Sequence, residues 1–161
     1  MNHLEQLAAE WYEFRGYFVR RNVRVGKRPK GGYECELDVV AFHPGLQHLV
    51  HIEPSMDADN WEKRERRYAK KFEAGRKHIP ALFSGMVVPV EIEQIALLGF
   101  GSNAKVKTLA GGRIMTAAEL LVEIIEGLVP RRVASAAVPE QFALLRTIQF
   151  VCEHRHAVGW K

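Results

Sequence analysis

Leu4, Leu7, Ala8, Trp11 and Phe14 recur at helical spacing and form one apolar stripe, which predicts a helix over residues 3–15 closed by Gly16. The period then changes. Tyr17, Val19, Val23 and Val25 alternate with Arg20, Asn22 and Arg24, the pattern of a half-buried strand over 17–25 with basic residues on its open side. The Pro and Gly content of residues 27–32 marks a loop. Two more strands are expected at 34–42 and 49–55, joined by His43-Pro44-Gly45-Leu46-Gln47-His48, a connection of hairpin length. Asp59 with Glu62 reads as a capping box, opening a helix to Lys77 with Trp61, Tyr68 and Phe72 inward. Beyond Pro80, the apolar, β-branched stretch 87–100 predicts one or two buried strands. Gly111-Gly112 predicts a hairpin turn and Arg113–Met115 a short strand. Thr116 is expected to cap a helix over 117–128, followed by a linker over 130–139 and a last helix over 140–154. The order αβββαββαα is that of an α/β chain.

Composition narrows the class. With 47 % apolar and 26 % charged residues in 161, the chain can build one ordinary core. No apolar run is long enough to cross a bilayer, and Met1-Asn2-His3-Leu4-Glu5 lacks the basic start and apolar block of a signal peptide, so the expected location is cytoplasmic. Cys35 and Cys152 are too few for a disulfide framework and lack zinc-site spacing; Cys35 is expected in the core beside Leu37 and Val39.

The net charge of +4 says less than its distribution. Arg15, Arg20, Arg21, Arg24, Lys27, Arg28 and Lys30 follow one another without an intervening acid. A second cluster runs from Lys63 through Arg64, Arg66, Arg67, Lys70, Lys71 and Arg76 to Lys77. Either alone reads as a solvated surface. Two clusters flanking an acidic pair point to a phosphate backbone.

That acidic pair is the informative feature. If the strands on either side of residues 43–48 pair symmetrically, Phe42 faces Leu49, Val40 faces His51 and Asp38 faces Glu53. Opposed side chains on one face lie about 5 Å apart at Cβ, so two carboxylates there need a counter-charge, which a divalent cation supplies. Oxygen donors suit a hard ion such as Mg²⁺. Ser55 shares the face with Glu53, as does His51, which reads either as support for the site or as an ordinary strand histidine. Glu5 borders the apolar stripe of the first helix and is a third acid that could lean toward Asp38. The other histidines, His3, His43, His48, His78, His154 and His156, show no metal-ligand spacing, and Gly99-Phe100-Gly101-Ser102 lacks the Gly-Lys-Ser/Thr of a phosphate loop, so it reads as a turn.

Glu5-Gln6-Leu7-Ala8-Ala9, Gly16-Tyr17, Glu36-Leu37-Asp38-Val39-Val40-Ala41 and Leu49-Val50-His51-Ile52-Glu53-Pro54-Ser55, in this order and spacing, resemble the PD-(D/E)XK nuclease superfamily, with closest likeness to its Holliday-junction-resolvase-like and Mrr-like members. The resemblance covers residues 3–72. It implies a restriction-endonuclease-like three-layer α/β domain, a central mixed sheet flanked by helices, over 1–129, with a C-terminal linker and helix over 130–161 packing on it. It further implies that Asp38, Glu53 and the Pro54 carbonyl hold Mg²⁺ or Mn²⁺ and that Glu5 assists; metal-dependent hydrolysis of DNA is then expected, and because little in the chain could read bases, the cutting is expected to be structure-specific or non-specific. One departure bears on catalysis: where the family carries lysine, two residues after the glutamate, this chain has Ser55, which supplies no positive charge. Lys63, Arg66, Arg67, Lys70 or Lys27 could replace it, or the metal ion acts without it, or hydrolysis is lost.

The catalytic candidates are therefore Glu5, Asp38, Glu53, Ser55 and Lys63. The nucleic-acid contacts expected are Arg20, Arg21, Arg24, Lys27, Arg28, Arg66, Arg67 and Lys70. Two alternatives stay open: a nucleic-acid-binding module on the same fold without catalysis, and an interaction subunit, including a homodimer, docking through the last helix with Phe142, Leu144, Leu145, Ile148 and Phe150.

Overall fold

The structure is a computed structural model and describes residues 2–101 and 106–159. Its elements run α1 (His3–Phe14), β1 (Phe18–Lys27), β2 (Tyr33–His43), β3 (His48–Ser55), α2 (Trp61–Leu82), β4 (Glu93–Leu98), β5 (Thr108–Leu109), β6 (Gly112–Thr116), α3 (Ala117–Leu128), α4 (Val133–Ala136) and α5 (Ala143–Glu153). The six strands form one mixed sheet in the order β1-β2-β3-β4-β6-β5. The β1–β2 and β2–β3 pairs are antiparallel, β4 runs parallel to β3 and β6, and β5 closes the far edge antiparallel to β6. The expected α/β class with a mixed sheet flanked by helices is what the chain adopts. Among the described residues, no helix is long and apolar enough to cross a membrane.

Two compact units divide the chain, Met1–Ala117 and Ala118–Lys161. In the first, α1 packs on β1, β2 and β3, and α2 packs on the same strands and on β5. They take opposite faces: Arg21 reaches Glu13 of α1, whereas the adjacent Arg20 reaches the Leu82 carbonyl of α2. Beneath α2, Val25, Leu37, Val40, Phe42 and Leu49 meet Ala74, Ile79 and Phe83 in one apolar cluster. In the second unit Gln149 is the polar hub, donating to the Arg131 and Ala136 carbonyls and accepting from the Val138 N–H.

Several local expectations need correction. The helix after β3 is capped by Asn60, whose side chain accepts from the Lys63 N–H, and not by Asp59. It also runs past Lys77 to Leu82, carrying Pro80 in its last turn. Of the stretch 87–100 only Glu93–Leu98 is strand. The linker holds the short helix α4. The Gly111-Gly112 hairpin is present, its two-residue turn made by Ala110 and Gly111, both at positive φ as a type I′ turn requires, with the unforeseen β5 as its first arm. Ser102, the last residue of the turn proposed at 99–102, lies outside the described residues.

The largest departure is in β1. Asn22 adopts φ 52°, and the β1–β2 ladder, which pairs Arg21 with Val39 and Val23 with Leu37, lacks the Asn22–Asp38 step, as it also lacks the Gly26–Glu34 step where Gly26 has φ 67°. A left-handed residue in a strand turns the chain over. Val23 and Val25 accordingly pack toward α2 although Arg21, of the same parity, points to α1. The single open basic face expected from strict alternation does not form. In β2 the same disturbance brings both Leu37 and Val40 into the cluster under α2, while Val39 is buried outside it and Cys35 is half-buried at its margin.

Candidate active site

The hairpin predicted from the 43–48 connection forms with the symmetric register: Phe42 pairs with Leu49, Val40 with His51 and, last, Val39 with Ile52. Asp38 and Glu53 stand one step beyond that last pair. The Asp38 N–H, released from the ladder there, donates to Glu53 Oε1 at 3.2 Å. β3 lies inside the sheet between β2 and β4, and Glu53 is almost fully buried.

Asp38, Glu53, Pro54, Ser55, Asp57, Arg67, Tyr68 and Lys71 line a cleft of about 180 Å³. That is room for a hydrated ion or a phosphoryl group, and too little for a drug-sized ligand, which needs roughly 300 Å³ or more. Lys71 is its central cation. Nζ lies 2.9 Å from Asp38 Oδ1 and 2.8 Å from Glu53 Oε2, and it also donates to the Glu36 carbonyl. The second cation is Arg67, which donates to Ser55 Oγ at 2.7 Å, to Asp57 at 2.6 Å and to Asp59 at 3.2 Å, and stacks over the Tyr68 ring. The Tyr68 hydroxyl donates to the Glu53 carbonyl and so anchors the strand from α2.

Burial dominates the protonation of this cluster. It pushes Asp38 up to about 6, with the Glu53 carboxylate adding to the shift and Lys71 opposing it. Burial also raises Glu53, against the pull of its hydrogen bonds from Asp38 and of Lys71. Burial alone would lower Lys71, but the two carboxylates outweigh it and hold the ammonium charged well past the usual range. Tyr68 is driven up to about 12 by burial and stays a phenol. His51, wholly buried, is lowered to about 3 by burial and then by Lys71, so it is neutral.

The sequence-predicted residues fare differently. Asp38, Glu53, Pro54, Ser55 and Arg67 meet in the cleft. Glu5 does not line it: it is buried at the start of α1 in a capping box with Asn2, accepting from the Asn2 N–H while Asn2 accepts from its own. The pattern Asn-x-x-Glu at residues 2–5 carries that signal in the sequence. Lys63 is exposed and paired with Asp59, so it does not reach back to the carboxylates. Arg66 pairs with Glu62 and Arg24 with Glu36 on the surface, and Arg20 and Arg21 are held by Leu82 and Glu13. Lys27, Arg28, Lys30 and Lys70 are exposed. Lys71 went unrecognised as a site residue, although it stands three positions after the inward Tyr68, a helical spacing that places both on one face of α2.

The donor set fits a divalent cation. Asp38 Oδ1 and Glu53 Oε2 already converge on one positively charged atom at under 3 Å, and Pro54 lines the same cleft. Among the described residues no cluster of three His, Cys, Asp or Glu side chains suited to a metal is present.

No family model matches the chain, and no curated protein does. Among solved structures it is similar to a crystal structure of a protein of unknown function, at 15 % identity and a TM-score of 0.47, over 97 % of this chain and 77 % of the other.

Proposed function

We propose that this chain is a metal-dependent nuclease of the PD-(D/E)XK type, acting on DNA without strong sequence preference, in which Lys71 of α2 replaces the lysine lost at Ser55. The observation that carries this reading is the convergence of Asp38, Glu53 and one lysine ammonium in a phosphate-sized cleft. Asp38, Glu53 and the Pro54 carbonyl would hold Mg²⁺ or Mn²⁺, which when bound polarises the phosphate and acidifies a water. The chain's own residues do the rest. The Lys71 ammonium, on a flexible stem, neutralises the carboxylate pair and would hydrogen-bond a phosphate oxygen of the substrate. Arg67 holds Ser55 and the following loop in place and offers a second charge to the phosphate. Lys27, Arg28, Lys30 and Lys70 supply backbone attraction.

The test is plasmid nicking with Mg²⁺ or Mn²⁺ by the pure protein, compared with Asp38→Asn and Glu53→Gln. Nicking that survives both substitutions rules the reading out. A binding module without turnover is the second reading. It is favoured by the ion pairs already in place, Lys71 on the acidic pair and Arg67 on Asp57 and Asp59. It predicts salt-sensitive DNA binding that is indifferent to both substitutions.

A further inference from the structure

A buried chain of polar groups runs from the surface of α2 to the cleft. His51 Nε2 is 2.7 Å from Glu53 Oε1, and its Nδ1 is 3.3 Å from the amide nitrogen of Gln94, its neighbour on β4. That amide cannot be turned over. Its nitrogen lies 2.8 Å from the Phe72 carbonyl, which only accepts, and its oxygen 2.6 Å from Arg76 Nη1, which only donates. The remaining amide N–H therefore points at Nδ1, the ring proton sits on Nε2, and Nε2 donates to Glu53. Oε1 receives a second bond from the Asp38 N–H. With Oε1 occupied by two protein donors, Oε2 is the oxygen offered to the cleft, where it meets Lys71.

The surrounding backbone is shaped to the ring. A Cβ on Gly75 would stand 2.3 Å from Nδ1 and 2.6 Å from Cε1, so α2 approaches this closely only because residue 75 has no side chain. Phe72 closes another side, edge to ring at 5.5 Å. A histidine placed only to fill the core could end its hydrogen bonds on any carbonyl; this one ends on the buried carboxylate of the cleft.

We propose that His51 is a positioning residue: its Nε2–H holds Glu53 with Oε1 turned inward and Oε2 presented to the cation, and Arg76 and Gln94 fix the tautomer that makes this possible. The inference rests on the reading of Glu53 as a cation-holding carboxylate.

Three full-length samples test it: wild type, His51→Gln, whose amide nitrogen can still donate to Glu53, and His51→Leu, which cannot. Long-range ¹H–¹⁵N correlation on the wild type without added metal is expected to find the ring proton on Nε2. Mn²⁺ affinity by calorimetry is expected to fall about tenfold or more in His51→Leu and to be largely kept in His51→Gln, within the usual range for a group that orients a ligand. A ring proton on Nδ1, or a folded His51→Leu binding Mn²⁺ like wild type, overturns the inference. If His51→Leu does not fold, Gln94→Leu is read instead, and retention there of both the Nε2 tautomer and wild-type affinity overturns it. If the wild type itself takes up no Mn²⁺, the metal-nuclease reading falls and the positioning role is decided on the Lys71 ammonium. Its ¹⁵N resonance, protected by Asp38 and Glu53, is expected in wild type and His51→Gln and lost in His51→Leu; its persistence in His51→Leu overturns the role.

Discussion

The ammonium of Lys71 lies 2.8 Å from Oε2 of Glu53, bringing the middle of α2 onto an inner strand of the sheet. It sets a positive charge against the buried carboxyl of Glu53 and the half-buried one of Asp38. The same contact puts a mobile cation where a phosphate would arrive. Ser55 meanwhile accepts from Arg67, so positive charge reaches the cleft from the helix and not from the strand.

Lys71→Ala is therefore expected to lower the metal-dependent nicking rate by roughly a hundredfold or more, the scale for losing one charge-stabilising donor. It should not weaken Mn²⁺ binding, because on the proposed reading the ion would use the carboxylate oxygens that the ammonium holds. Lys63→Ala, at an exposed residue paired with Asp59, should leave the rate unchanged. Equal rates for wild type and Lys71→Ala would remove Lys71 from the mechanism.

Asp38→Asn should stabilise the protein near pH 7.5, by something on the order of 2 kcal/mol, because one pKa unit corresponds to about 1.4 kcal/mol and folding raises this carboxyl to about 6. The folded wild type takes up this proton at higher pH than the unfolded chain, so Asp38 costs stability as pH rises from about 4 to 6. The gain in Asp38→Asn should shrink as pH falls through that window. His51 works in the opposite direction: held at about 3 when folded, it lowers stability as pH falls below its ordinary value of 6.5. Removing Asp38 should therefore steepen the acid limb of the stability curve, measured as urea midpoints at pH 4.5, 6 and 7.5. A shallower limb would reverse the assignment.

Gly75→Ala sets helix propensity against packing. In an exposed helix the change would gain up to about 1 kcal/mol. Here the new methyl meets the buried His51 ring at 2.3 Å, and overpacking of this kind costs roughly 1–3 kcal/mol or more. A lower melting temperature is expected, together with a change in the His51 side-chain resonances. A higher melting temperature would mean that α2 can withdraw from the sheet without penalty.

Replacing Lys27, Arg28 and Lys30 together by alanine should lower DNA affinity and reduce the salt dependence by about one to two phosphate equivalents, without changing Mn²⁺ affinity. Binding isotherms between roughly 50 and 200 mM salt measure this. An unchanged slope would place the phosphate contacts elsewhere.

Much of the local structure was legible along the chain, because it depends on near neighbours. The stripe from Leu4 to Phe14, the 43–48 connection, the symmetric pairing of Phe42 with Leu49 and Val40 with His51, and the helix over 117–128 follow from periodicity and turn length alone. Through that register the sequence also brought Asp38 and Glu53 together. Alternation could not show the reversal at Asn22, since a single residue at positive φ changes which face its neighbours occupy without altering the apolar pattern.

What only the tertiary structure decided is which charge meets the acidic pair. Lys63, Arg67, Lys70 and Lys71 are near-equivalent in composition, and they differ only in the angle at which each leaves α2 toward the sheet. The spacing from Tyr68 gives Lys71 its face, but only the close approach of α2 at Gly75, over the His51 ring, brings its ammonium within reach of the carboxylates. The direction of the Gln94 amide was equally hidden, because it depends on Phe72 and Arg76 arriving from another element. Sequence spacing determined the carboxylates, which lie on paired strands with a period of two. Packing across the helix–sheet layer determined their cation, because that distance is written in the contacts and not along the chain.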